Sequence, residues 1–147
     1  MSNRISFTTV VPVATPVVRS VLTNLASWPT WDCTVQSVNL SSETTGKFLS
    51  RNGKHVLFQA EFSELDPVVR VRERWPLMST QRCYQLYRCN ERTMVDLTLT
   101  FQSHFPDALS RLYVGYQAGF FEAALRGLVK TCLLVEKKNE RANEKTV

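Results

Sequence analysis

Alternating apolar and polar residues begin the chain and predict a first β-strand. Residues 4–11, RISFTTVV, are rich in residue types that favour strands, and every second side chain points to the same face. That face carries Ile5, Phe7, Thr9 and Val11. Pro12 has no backbone N–H to donate, so we expect the strand to end there.

Apolar residues at helical spacing follow, and they predict a short helix with one buried face. The residues that recur at this spacing are Val18, Val21, Leu22 and Leu25. Thr15 is the expected N-cap, with Pro16 at the first helical position. The residues SWPTW then offer a second cap at Ser27 and predict one more helical turn through Trp31.

The middle of the chain predicts an antiparallel meander of short strands separated by turn signals. Asn52-Gly53 favours a tight hairpin, and Asp66-Pro67 favours a second turn. The predicted strands are residues 33–40, 46–50, 55–65, 68–75, 80–89 and 93–105. In the strand of residues 68–75, one face carries Val69, Val71, Glu73 and Trp75, and the other carries Arg70, Arg72 and Arg74.

The last apolar pattern predicts one long helix that starts near Pro106-Asp107 and runs to about residue 138, because no proline interrupts it. Its apolar residues cover more than one stripe, and a wide apolar face needs a broad concave surface to bury it. Residues 139–147 carry charges of both signs and are expected to fray in solvent. We therefore expect a single domain of residues 1–138 and a charged tail of residues 139–147.

This order of elements resembles the START and Bet v 1-like (SRPBCC) superfamily, most closely its polyketide cyclase/dehydrase and lipid-transport branch. The resemblance covers nearly everything from Ile5 to Leu134. It is carried by TPVVRSVLTNLASWPTWDCTV, FQAEFSELDP, QLYRCNERTMVDLTL and the last helix. It implies an α+β helix-grip fold, in which a curved antiparallel β-sheet wraps around a long C-terminal helix and two short helices follow the first strand.

The resemblance also implies a cavity between sheet and helix for a small apolar ligand such as a lipid or a polyketide. The corner that holds Trp28 and Trp31 would close one end of it. The residues expected to line the cavity are Trp31, Phe58, Phe62, Val71, Glu73, Trp75, Tyr84, Leu97, Phe101, Tyr113, Tyr116 and Phe120. The alternative is that these side chains fill the core. Gly115 and Gly119 either let the helix approach the sheet closely or leave room in the cavity.

Glu73 is the residue whose chemistry is most informative. Strand alternation places its carboxylate on the buried face, where an unpaired charge is costly. One interpretation is an acid–base or ligand-anchoring carboxylate. The others are a salt bridge to Arg82 on the next strand, where Arg82 shares the inward face with Tyr84, and exposure at the rim.

Composition agrees with one globular domain. The 147 residues are 44% hydrophobic and 21% charged, which leaves enough apolar side chains for a core. Lys and Arg total 18 against 13 Asp and Glu, so the net charge of +5 favours weak attraction to anionic surfaces. The N-terminal residues lack the apolar stretch of a signal peptide and no run is long enough to span a membrane, so a cytoplasmic location is expected.

The cysteines and histidines do not form a recognisable metal site. They are Cys33, Cys83, Cys89 and Cys132, and His55 and His104, with no CxxC or HxxxH pairing. We expect reduced thiols, no metal and no cofactor. Hydrolysis through a nucleophile is disfavoured because no GxSxG or Cys-His signature is present.

Three functions remain open from the residues and the resemblance. The leading hypothesis is a binding module, without enzymatic activity or weakly enzymatic, that holds a small apolar ligand. The second is a cyclase or dehydratase in which Glu73 and a tyrosine, Tyr84 or Tyr116, move protons on a polyketide-like substrate. The third is binding of an anionic partner by the outward row of Arg70, Arg72 and Arg74. A nucleic acid is not expected on that row, because aromatic residues do not interleave with it.

Overall fold

The structure, a computed structural model, describes residues 2–63, 68–75, 78–103 and 107–145. Within these ranges some residues are described through their backbone alone, among them Trp75, Tyr113 and Tyr116. These three predicted cavity residues therefore have side chains outside the described part of the chain.

Seven antiparallel strands form one sheet, and a long helix follows them. The strands are β1 (Ser2–Val11), β2 (Val35–Leu40), β3 (Thr45–Ser50), β4 (His55–Ser63), β5 (Val68–Trp75), β6 (Met78–Cys89) and β7 (Arg92–Ser103). The helices are α1 (Thr15–Thr23), α2 (Trp28–Trp31) and α3 (Asp107–Lys145), and a 3-10 turn, Leu25–Ser27, joins α1 to α2. The strand order is β1-β7-β6-β5-β4-β3-β2. This architecture confirms the predicted helix-grip fold.

The alternation predicted for the strands sets which face of the sheet is buried. Val69, Val71 and Glu73 of β5 are buried, whereas Arg72 and Arg74 point outward and are exposed. In β4 the buried residues Val56, Phe58 and Ala60 alternate with exposed neighbours. One face of the sheet is therefore the wall of the core, as the pattern predicted.

Two tight turns use backbone conformations that few residue types tolerate. Gly53 has a φ of +79° in the turn between β3 and β4, where its N–H donates to the carbonyl of Ser50 over 2.9 Å. Asn90 has a φ of 58° in the turn between β6 and β7. Glycine and asparagine adopt this left-handed region at low cost, which explains why the Asn52-Gly53 signal was informative.

The Pro-Trp corner is a packed junction between α2, the sheet and α3. Trp28 and Trp31 are both 4% exposed, and their ring centroids lie 5.1 Å apart. The Tyr84 ring meets both edge-on, at 5.7 Å from Trp28 and 6.1 Å from Trp31. Trp28 Nε1 donates to the carbonyl of Leu22 over 2.9 Å, which fixes α2 to α1. Both tryptophans thus act as core residues.

The inward face of α3 closes the core. Its buried residues are Phe121, Ala124, Leu125, Leu128 and Cys132. A Cβ on Gly127 would overlap the carbonyl oxygen of Trp31, so this glycine permits the close approach of α3 to α2. Gly115 and Gly119 have open space where a Cβ would lie, which excludes the interpretation that they bring the helix close to the sheet.

Two predicted boundaries are corrected by the structure. The long helix continues past residue 138 to Lys145, because residues 139–145 contain no glycine or proline and are mostly good helix formers. Thr15 is the first residue of α1 and Ala14 is its N-cap. The Thr15 hydroxyl instead shares a hydrogen bond of 3.1 Å with the Thr93 hydroxyl, so it anchors α1 to β7.

Within the described ranges, no helix is long and apolar enough to cross a membrane.

Candidate functional site

A small cavity lies between the sheet and α3. Its apolar wall is formed by Met78, Leu99 and Phe101 of the sheet and by Phe120 and Phe121 of α3. The volume is about 30 Å³, which is room for about two water molecules. An apolar lining with a few convergent polar groups is typical of ligand sites, although this volume is far below that of a site for a drug-sized molecule.

The polar side of the cavity is built by adjacent strands. Glu73 of β5 lies directly opposite Thr80 of β6 in the strand register. The Thr80 hydroxyl donates to Glu73 Oε2 over 2.8 Å. Two residues further along β6, on the same face, Arg82 forms an ion pair through its Nε with Glu73 Oε1. All three side chains are buried and all three line the cavity.

Arg82 has a second carboxylate partner from a distant part of the chain. Its Nη1 donates to Asp32 Oδ2 over 2.6 Å, and its Nη2 donates to the Thr34 hydroxyl over 3.1 Å. Asp32 follows α2 directly, and its Oδ1 accepts from both the N–H and the hydroxyl of Thr34. The guanidinium therefore joins the short-helix corner to the middle of the sheet.

This Asp32–Arg82–Glu73 triad is almost completely withdrawn from water. The side chains are 1% exposed or less for Arg82 and Asp32 and 2% for Glu73. Burial alone would lower the pKa of Arg82, but the charges of Glu73 and Asp32 outweigh it and raise that pKa above its ordinary value. Arg82 is thus a permanent cation, and removing it would leave two buried carboxylates without their counter-ion.

Tyr84 lies behind the triad, in the core. Its side chain is fully buried, and its hydroxyl lies next to the Arg82 guanidinium. Burial raises the pKa of Tyr84 well above its usual range, against the opposing effect of Arg82. Tyr84 is not among the described residues that line the cavity. It is therefore poorly placed to exchange a proton with a molecule held there.

The mouth of the cavity lies between the β3–β4 turn and α3. Arg51 and Asn52 line it from the turn, and Ser50, the last residue of β3, lines the cavity next to them. The Arg51 guanidinium stacks over the Phe120 ring, with Cζ 4.3 Å from the ring centroid. Cys33 Sγ donates to the carbonyl of Phe120 over 3.3 Å. These contacts hold Phe120 across the opening.

A second, apolar cavity lies between the short-helix corner and strands β2 to β5. It has a volume of about 10 Å³ and is lined by Leu25, Trp28, Val35, Val38, Phe48, Phe58 and Val71. Phe48 also contacts the Arg82 guanidinium, with Cζ 5.8 Å from the ring centroid. Arg82 lines the first cavity and Phe48 lines the second, so this contact connects the walls of the two cavities.

The structure divides the predicted cavity residues into groups. Glu73, Phe101 and Phe120 line the first cavity, and Phe58 and Val71 line the second. Three others are buried in the core and are not among the lining residues: Trp31, Tyr84 and Leu97. Phe62 is partly buried and packs against the core.

Sequence reasoning missed several residues of the site. Thr80 could have been found, because strand alternation puts it on the inward face with Arg82. Asp32 and Thr34 carry no comparable signal, since a loop residue shows no periodicity and their partner Arg82 lies about fifty positions further along the chain. The salt bridge between Glu73 and Arg82 was one of the predicted alternatives and is confirmed. Within the described residues, no group of His, Cys, Asp or Glu could hold a metal ion.

Comparison with known proteins gives matches through structure only. No protein-family model and no curated protein matches the sequence. A protein from Thermus thermophilus has a TM-score of 0.77 at 19% identity, over 90% of this chain and 99% of that chain. The Zhui aromatase/cyclase from Streptomyces sp. R1128 has a TM-score of 0.77 at 13% identity, over 90% and 94% of the chains. A START superfamily protein from Mycobacterium smegmatis has a TM-score of 0.71 at 11% identity, over 87% and 97%.

Proposed function

We propose that this chain, which has the helix-grip fold of the START and Bet v 1-like superfamily, binds a small apolar molecule with one hydrogen-bonding end between its sheet and α3. The observation that carries the proposal is the cavity itself. Phe101, Phe120 and Phe121 supply an apolar wall, whereas Glu73 and Thr80 present oxygen atoms on one side. A ligand with an apolar body and a single polar group matches that division.

Binding a molecule larger than water requires the cavity to expand. Met78 is half-buried, and Phe120 is held across the mouth by Arg51 and Cys33. A stack of one guanidinium on one ring is worth only about 0.5–1 kcal/mol at an exposed site. In the proposed mechanism Arg51 and Phe120 move aside, the ligand enters past Met78, and its polar group reaches Thr80 and Glu73.

The first test is native mass spectrometry of freshly purified protein, followed by organic extraction of any bound molecule. We expect an adduct of a few hundred daltons, which is the size range of ligands that such pockets hold. A clean mass that stays unchanged when a panel of lipids and aromatic polyketides is added would contradict the proposal.

A cavity-filling variant locates the ligand. Met78→Trp is expected to reduce ligand affinity at least about tenfold, because the larger ring occupies the cavity in place of the ligand. Ser79→Trp is the matched control, since Ser79 is the exposed neighbour on the opposite face of β6 and the same ring there points to solvent. Fluorescence or calorimetric titration with the extracted molecule gives both affinities. Equal loss in the two variants would place the ligand elsewhere.

A second candidate function is a cyclase or dehydratase acting on a polyketide-like substrate. It is favoured by one observation, a buried carboxylate that lines the cavity and accepts a hydrogen bond from Thr80. A protein named as an aromatase/cyclase is also among the structural matches. Glu73 would then be the group that moves protons, without Tyr84.

Glu73→Gln separates the two functions. The substrate is a short poly-β-ketone thioester, and mass spectrometry follows its loss of water. If the protein is an enzyme, we expect the turnover of the variant to fall at least about 100-fold, because glutamine cannot exchange the proton. For a binding module, the wild-type protein converts none of this substrate and the variant only changes ligand affinity. Thr80→Ser keeps the hydrogen-bonding hydroxyl and serves as the control with turnover retained.

A further inference from the structure

The end of the sheet at which the cavity opens has a surface of its own. The strand register defines this end: Leu49 pairs with His55, Trp75 pairs with Met78, and Met78 pairs with Ser103. We call it the mouth end, and the strand and turn residues considered in it are 50–57, 72–75, 78–80 and 101–103. The start of α3 lies only four residues beyond Ser103.

Exposed cations dominate the mouth end. Arg51 and Lys54 lie on the β3–β4 turn, and Arg74 lies on the outer face of β5, all exposed. None of the three forms a salt bridge with another described residue. The only carboxylate among the strand and turn residues 50–57, 72–75, 78–80 and 101–103 is Glu73, which is buried and paired with Arg82. The solvent-facing charge of these strand and turn residues is therefore positive.

Two exposed leucines lie at the same end as these cations. Leu57 is 49% exposed and is the cross-strand neighbour of Arg74. Leu112 is 72% exposed and precedes Phe120 of the cavity mouth by eight residues, or about 12 Å of helix towards the start of α3. Cations that meet phosphate groups, next to apolar side chains that enter the acyl boundary, are the combination that binds an anionic bilayer.

We propose that the mouth end docks onto an anionic phospholipid bilayer, so that the cavity opens towards the lipid. Arg51, Lys54 and Arg74 would contact the phosphates, and Leu57 and Leu112 would enter the interface. A single-stranded nucleic acid is the less favoured partner, because single strands stack on exposed aromatic side chains, and the exposed large apolar side chains that the structure describes at this end are Leu57 and Leu112. The inference stands on the surface alone and is independent of what the cavity holds.

Sedimentation with vesicles tests the proposal. One set is phosphatidylcholine alone, and the other contains about 30% phosphatidylglycerol. We expect binding to the anionic vesicles, little binding to the neutral ones, and release as salt rises from about 0.05 M to 0.5 M, because salt screens the attraction between exposed charges. Absence of binding to anionic vesicles at low salt would overturn the proposal.

Paired variants test where the contact lies. Lys54→Glu with Arg74→Glu is expected to reduce the vesicle partition coefficient at least about tenfold. Arg88→Glu with Arg92→Glu makes the same change of charge at the opposite end of the sheet, on exposed residues, and is expected to leave the coefficient within about twofold of the wild-type value. Equal loss in the two pairs would mean that net charge alone attracts the protein, and would overturn the docking surface.

A second pair of variants tests the contribution of the exposed leucines to vesicle binding. Leu112→Gln is expected to weaken vesicle binding at least about threefold, because leucine side chains gain free energy in the interface. Leu134→Gln alters a leucine that is 60% exposed on the distant part of α3 and is expected to have no effect. A preference for duplex DNA over anionic vesicles, weakened by the same Lys54 and Arg74 changes, would assign the surface to a nucleic acid instead and overturn the proposal.

Discussion

Replacing Arg82 with alanine is expected to lower the free energy of unfolding by about 3–5 kcal/mol, the range for breaking a buried ion pair by removing one partner. The reason is that Asp32 and Glu73 would remain buried, with side chains 0% and 2% exposed, without the cation between them. Urea unfolding followed by circular dichroism measures the loss.

Arg72→Ala is the matched control for this prediction. Arg72 is an exposed arginine on the neighbouring strand, paired in register with Gln81, and it forms no salt bridge with another described residue. Its replacement should leave the free energy of unfolding essentially unchanged. A loss below about 1 kcal/mol for Arg82→Ala would contradict the triad as a major determinant of stability.

Gly127→Ala is expected to destabilise the protein by at least about 2 kcal/mol, as overpacking a close contact does. The new Cβ would overlap the carbonyl oxygen of Trp31, and backbone atoms cannot rotate away as a flexible side chain can. The helix would have to move away from α2, which also carries Asp32 at its end. Urea unfolding measures the loss of stability, and the fluorescence of the buried tryptophans reports the movement of α3 away from α2.

Gly119→Ala, on the same helix, is expected to change the stability of the protein in the opposite direction. Nothing lies within 4 Å of a Cβ at that position, so alanine adds no clash. Alanine is a better helix former than glycine, and we expect a gain of about 0.5–1 kcal/mol. If both substitutions were stabilising, the close approach of α3 to Trp31 at Gly127 would not be a feature of the protein in solution.

The fold could be predicted largely from local patterns. Alternation in residues 68–75 placed Glu73 inward and Arg72 outward, because a strand exposes successive side chains on opposite faces. The Asn52-Gly53 signal located a hairpin because glycine adopts the left-handed backbone conformation of a tight turn at low cost, as Gly53 does here. The end of α3 was harder to place, since charged residues without a glycine or proline can continue a helix or fray, and the pattern does not distinguish the two.

The candidate site could be predicted only in part. Glu73 and Arg82 lie on neighbouring strands of a meander, so their pairing followed from topology. The Asp32 contact depends on how the loop after α2 reaches the sheet, and no periodicity in the chain encodes that. Trp31 was expected to close one end of the cavity because of the family resemblance, and Tyr84 was expected there because it lies on an inward strand face. Both are buried in the core instead, since inward positions include core as well as cavity positions.

The sequence by itself determined the order of the strands and helices, the buried face of the sheet and the inward direction of Glu73, because each follows from side-chain periodicity and turn chemistry within a few residues. Only the tertiary structure decided that Asp32 contacts Arg82, that Gly127 sets the distance between α2 and α3, and that the cavity has a volume of about 30 Å³. Those features are distances between segments far apart in the chain, and they arise from how the faces pack once each face has formed.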